Sequence, residues 1–108
     1  MLGPGKAELL ERIRDTGSIS AAGRQMEMSY KRAWMLVETM NAAFRESLVE
    51  SVRGGPGGGG ARLTGAGEEV LRLYRAIEAQ ALSAAAPEIA AIEALLRPGT
   101  KVDIPDGK

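Results

Sequence analysis

Four consecutive residues carry most of the chemistry this chain offers: Ser29, Tyr30, Lys31 and Arg32. They put two cations, two hydroxyls and an aromatic ring into one turn of chain. Lys31 and Arg32 can donate to guanine or to a phosphate, and the Tyr30 ring can pack on a thymine methyl. Met35 comes next on the same stretch. Upstream, Ser18 and Ser20 open another segment, where hydroxyls at a helix start can bond phosphate. Downstream, Arg53 and Arg62 flank a run of glycines. Gly57 and Gly58 lie in that run, where backbone N–H groups can approach a phosphate without a side-chain clash. Together these residues form the contact inventory of a double-stranded DNA surface. The plain alternative is a solvated helix turn with ordinary surface charges.

Other chemistries have little to stand on. The chain has no His and no Cys. That removes the commonest general base and metal ligand, and it leaves no thiolate site. The carboxylates scatter over solvated helix faces. No catalytic residue, metal site or cofactor is expected, and the chain does not read as an enzyme. The glycine run ends in Gly-Ala-Arg-Leu-Thr, whereas a P-loop needs Gly-Lys-Ser/Thr entering a helix. It also sits between two strands, which no dinucleotide-binding pattern allows.

The elements that must position the contact residues come next. Lys6 to Thr16 reads as a helix burying Leu9, Leu10 and Ile13, with Gly17 as its left-handed stop. Ser18 caps a second helix, whose apolar contacts are Ala21, Ala22 and Met26. Glu27-Met28 makes a turn. Ser29 caps a third helix, in which Ala33, Leu36, Val37, Met40 and Phe44 recur as one buried stripe. Leu48 to Arg53 and Ala61 to Leu63 read as two strands around the loop Gly54–Gly60. Trp34 stands just past the charged tip of the third helix, where it is expected to wedge between that helix and the strand pair. Thr64 caps a long helix from Gly65, which Pro87 must kink or break. A further amphipathic piece runs to Arg97.

Helix, helix, helix, strand, glycine loop, strand, long helix is the element order of a winged helix-turn-helix. The expected fold is mainly α with a small β-hairpin. Residues 1–64 form the DNA-binding domain, 65–97 a dimerisation helix region broken near Pro87, and 98–108 a mobile tail. Val70, Leu73, Tyr74, Ile77, Leu82, Ile89 and Ile92 are more apolar surface than a monomer would leave open, so they predict a homodimer.

Composition agrees with one domain, or one plus an appendage: 108 residues, 44% hydrophobic and 26% charged. With one Trp, two Tyr and one Phe, the core must be aliphatic. The net charge is zero, which argues against indiscriminate polyanion binding. Residues 1–64 hold nine Lys or Arg and seven Asp or Glu, and residues 65–108 hold five and seven. No apolar run is long enough to span a membrane, and the N-terminus lacks a signal-peptide core, so a cytoplasmic protein is expected.

Several stretches carry a resemblance. They are Gly17 to Trp34 (G-S-I-S-A-A-G-R-Q-M-E-M-S-Y-K-R-A-W), Met40-Asn41, Leu48 to Glu50, and Gly54 to Thr64 (G-G-P-G-G-G-G-A-R-L-T). Together they resemble the N-terminal DNA-binding domain of the molybdate-responsive ModE regulators, over roughly residues 6–80. The wider LysR-type winged helix is similar at Ser18 to Ala22 and at Leu63, Thr64 and Gly67. The resemblance implies a repressor or activator, dimeric through its long C-terminal helix. It departs at Glu27, where such turns usually carry Gly. ModE-type regulators sense molybdate in a separate C-terminal region, for which the residues after Arg97 offer no counterpart. This chain alone is therefore not expected to bind molybdate. Two rivals stay open. One is a winged-helix module for protein contacts. The other is a DNA-binding half that works with a separate effector-binding chain.

Overall fold

The computed structural model describes residues 3–55 and 58–99. Helix α1 spans Pro4–Thr16. It starts two residues before the expected Lys6, because a proline in the first turn gives up an N–H that had no partner there anyway. Ala7, Leu9, Leu10 and Ile13 are its buried face. Gly17 ends it at φ 70°, with its N–H donating to the Ile13 carbonyl at 2.8 Å.

Helix α2 spans Ile19–Gln25, and helix α3 spans Tyr30–Ala43. Both caps are serines: Ser18 Oγ accepts from Ala21 N, and Ser29 Oγ accepts from Arg32 N, each at 3.1 Å. Glu27 sits between the helices at φ 57°. A left-handed non-glycine residue costs about 1 kcal/mol. The turn holds because the Gly23 carbonyl accepts from Met26 and Met28 N–H together. The helices also cross closely, and a Cβ on Gly23 would come within 2.9 Å of the Ala33 Cβ.

Two details differ from expectation. In α2 the buried residues are Ile19, Ala22 and Gly23, while Ala21 and Met26 are only half-buried. Ile19 comes directly after the cap and turns inward. In α3, Ala33, Val37 and Met40 are buried, while Leu36 is half-buried. Phe44 lies beyond the helix, in extended backbone at its C-cap.

Strands β1 (Val49–Gly55) and β2 (Gly58–Leu63) pair antiparallel. The register is Val49 with Leu63, Glu50 with Arg62, Ser51 with Ala61 and Val52 with Gly60, and an irregularity precedes the pairing of Gly55 with Gly58. The strands thus run further into the glycine stretch than expected. Leu48, Val49, Ala61 and Leu63 are buried. Asn41 seats the hairpin on α3: its Oδ1 accepts from Leu48 N at 2.9 Å and Val49 N at 3.1 Å, and its Nδ2 donates to Val49 O at 3.0 Å. At the other end, Ala61 N donates to the Gly17 carbonyl at 2.9 Å. A Cβ on Gly60 would come within 2.5 Å of that same oxygen, so only glycine allows the approach.

Helix α4 spans Gly65–Ala84, and helix α5 spans Ala86–Leu95. Thr64 caps α4, its Oγ1 accepting from Gly67 N at 3.0 Å. The break falls at Ala85, ahead of Pro87, whose ring cannot coexist with the helical carbonyl four residues back. No described helix is long and apolar enough to cross a membrane.

The chain forms two compact units, residues 1–72 and 73–108. In the first, α1 packs on α2 and β2, and α2 packs on α3. Its largest fully buried side chains are Leu9, Leu10, Ile13, Val37 and Leu48. In the second, Arg75 and Glu78 pair at 2.8 Å. Leu73, Ile77, Ile92 and Leu95 are exposed, Leu95 by 87%, and no residue of α5 is buried. Of the expected tail, residues 100–108 lie outside the described residues.

Candidate nucleic-acid interface

The first turn of α3 projects into solvent. Ser29, Tyr30, Lys31 and Arg32 are exposed, and Met35, 56% exposed, lies one turn on. Because Ser29 Oγ accepts the cap bond, its own O–H remains able to donate. Tyr30 is 61% exposed and meets the Trp34 ring edge-on, with centroids 6.1 Å apart at 66°. That contact braces the tyrosine at the helix tip.

Ser18 and Ser20 are half-buried neighbours, with hydroxyls 3.3 Å apart. Arg24 leans on Ser20 Oγ at 3.4 Å. The sequence reading missed this cation, because helical spacing from Ser20 to Arg24 was not followed on the polar face. Arg53 and Arg62 are exposed on the hairpin. Arg62 is also paired, its Nε donating to Glu50 Oε1 at 2.7 Å. An exposed pair of this kind contributes about 0–1 kcal/mol, so a phosphate can compete for the guanidinium. Glu50 became identifiable as its partner only through the strand register. Gly58 stands in β2 opposite Gly55, and Gly57 lies outside the described residues.

A cleft of about 280 Å³ separates the two helix starts from the hairpin. Ser18, Ile19 and Ser20 line it from α2, Tyr30 and Trp34 from α3, and Ser51, Val52, Gly60 and Ala61 from the strands. Trp34 thus faces both α3's neighbours and the hairpin, in keeping with its expected wedge position. Its Nε1 is buried without a hydrogen-bond partner among the described residues. The structure therefore brings Ser18, Ser20 and Tyr30 around one cleft, while Lys31, Arg32 and Met35 stand on the open end of α3.

Residues 5–68 match the model of the bacterial regulatory helix-turn-helix proteins, lysR family. The chain belongs to this family. Its matched part is a winged helix-turn-helix DNA-binding domain of ModE/LysR type. Among similar curated proteins, the molybdenum-pterin-binding protein MopB of Rhodobacter capsulatus is 47% identical over 78 residues, which are 72% of this chain and 29% of that protein. The transcriptional regulator ModE of Yersinia pestis is 46% identical over 71 residues, 66% of this chain and 27% of that protein. The DNA-binding transcriptional dual regulator ModE of Escherichia coli K12 is 42% identical over the same length, with the same coverage. This chain thus spans less than a third of these relatives. Two solved structures share the fold. The crystal structure of a CbnR_DBD-DNA complex superposes with a TM-score of 0.64 at 21% identity, covering 84% of this chain and 99% of that one. ArgP from Mycobacterium tuberculosis superposes with a TM-score of 0.55 at 24% identity, covering 85% and 31%.

Proposed function

We propose that this chain is the DNA-binding part of a transcriptional regulator and acts as a homodimer on double-stranded operator DNA. The observation that carries it is the exposed tip of α3. In a winged helix-turn-helix this is the end that enters a major groove, and here it offers Tyr30, Lys31, Arg32 and Met35. Ser18, Ser20, Ser29, Arg53, Arg62 and the glycine run supply phosphate contacts around it. Lys31→Ala and Arg32→Ala should each weaken binding to a duplex selected from a random pool. The side chain that reads a base should cost roughly 1–3 kcal/mol and lose discrimination there, and the one that holds a phosphate should lower the salt slope by about 1. Mobility shift over a series of salt concentrations checks this. A double variant that binds like wild type would remove the assignment of α3 as the recognition helix.

Homodimerisation rests on the second unit. Leu73, Ile77 and Ile92 are exposed, Tyr74, Leu82 and Ile89 are half-buried, and α5 carries only Glu88 and Glu93 among apolar residues. Val70, half-buried near the end of the first unit, continues the same helix. Exposed Leu73, Ile77, Ile92 and Leu95 call for a partner to cover them. The Ala-rich sequence permits close approach, and a two-fold pair would offer two recognition helices to successive major-groove faces. Light scattering at about tens of micromolar, a range in which a stable dimer is populated, should return twice the 11.4 kDa chain mass. A single-chain mass would count against the dimer.

Molybdate is not part of the proposal. Tight oxyanion sites need converging cations or N–H donors in a formed pocket. Lys31, Arg32, Arg53 and Arg62 are all exposed rather than gathered around one.

A further inference from the structure

We propose that the cleft between α3 and the hairpin seats one phosphodiester of the DNA backbone, with the Trp34 indole N–H as its donor. This rests on the DNA-binding function proposed above and adds a positioning residue to it. An indole nitrogen only donates, and buried indoles normally find an acceptor. Trp34 Nε1 is buried and has none among the described residues. Leaving such a donor unpaired is costly, and an incoming oxygen would recover that cost.

The lining says which oxygen. Ser18, Ser20, Tyr30 and Ser51, all hydroxyl-bearing, line the cleft, and among the described residues no carboxylate does. Such a surface repels no anion and offers several donors. At about 280 Å³ the cleft lies just below the range of drug-sized ligand sites, and a single phosphodiester suits it better than a nucleotide. Among the described residues no cation lines it, so a free oxyanion would gain little there. A duplex already held by Lys31 and Arg32 on one side and by Arg53 on the other would carry a phosphate across it. In the free protein the N–H is covered. Docking must turn the indole or shift the exposed Tyr30 ring beside it, and the new hydrogen bond then favours the turned state.

A neutral donor positions the duplex without releasing a counterion. Trp34→Phe should therefore weaken binding about tenfold, equally on specific and unrelated duplexes, with the salt slope unchanged. Benzothienyl-alanine in place of Trp34 keeps the bicyclic shape, removes only the N–H and should show the same loss. A scan replacing each phosphate in turn by a neutral methylphosphonate should then find one position that weakens wild type but costs both variants nothing further. Inorganic phosphate titrated into the free chain should give no saturable heat.

Variants that bind like wild type, or that lose affinity without coupling to any single phosphate, would overturn the seat while leaving DNA binding intact. A loss confined to one sequence would reassign Trp34 to base reading. Saturable phosphate binding would reassign the cleft to a small anion. Failure of wild type to bind any duplex would remove both proposals.

Discussion

Gly67→Ala should lower the melting temperature of the chain by roughly 12–24 °C, the shift that about 3 kcal/mol produces in a domain of this size. A Cβ at this position would land on the Leu48 carbonyl oxygen, well inside any real contact. That oxygen cannot retreat. It accepts from Thr64 N at 2.9 Å and lies 3.3 Å from Thr64 Oγ1. Its own residue is held from the other side by Asn41. Relief would require lifting the first turn of α4 off Leu48, which breaks the Thr64 bond and uncovers the buried Leu71. Overpacking costs about 1–3 kcal/mol, and a buried carbonyl losing its partner adds about 1–3 more. Thermal denaturation monitored by circular dichroism checks the value. Gly65→Ala is the control, because a Cβ there meets no atom within 4 Å. If the two variants melt together, the seat of α4 on Leu48 is not the constraint described.

Asn41→Leu should cost about 3 kcal/mol by urea denaturation, for the opposite reason. The branched shape and number of heavy atoms are kept, but one side-chain amide now serves three backbone groups: Leu48 N, Val49 N and Val49 O. Leu48 and Val49 are buried, so water reaches these groups poorly once the amide is gone. Each unpaired buried group costs about 1–3 kcal/mol. A loss below about 1 kcal/mol would mean that solvent replaces the amide and that the hairpin is held by its apolar contacts alone.

Neither residue announces its task in the sequence. Asn41 reads as a polar position near the end of a helix, and Gly67 as a weak point near the start of another. Both matter through a neighbour brought close by folding, Leu48 in each case. The caps were legible for the converse reason. Ser18, Ser29 and Thr64 each bond an amide three residues on, and Gly17 turns the chain by its own φ. Such effects act within a single turn. The α3 stripe was readable through Ala33, Val37 and Met40, but the helix ended before Phe44. Strand ends were missed because glycine has no side chain from which an alternating pattern can be read. Only pairing, Val52 with Gly60 and Gly55 with Gly58, shows where they lie. At the interface, the exposed tip of α3 was evident from pattern alone. The Glu50–Arg62 pair, the Ser20–Arg24 contact and the orphaned indole nitrogen were not, because each depends on geometry across elements or on an absent acceptor.

Trp34 is the chain's one tryptophan, so the protein carries a single indole fluorophore at a known place. Emission excited at the indole band reports the seam between α3 and the hairpin and nowhere else. Lifting the hairpin, melting α3 and the arrival of a molecule in the cleft all change the surroundings of that one ring. Tyr30, 6.1 Å away and edge-on, can hand its excitation to the indole, leaving Tyr74 as the separate optical signal of α4. The two units of the chain can thus be tracked at two wavelengths without a label attached to either.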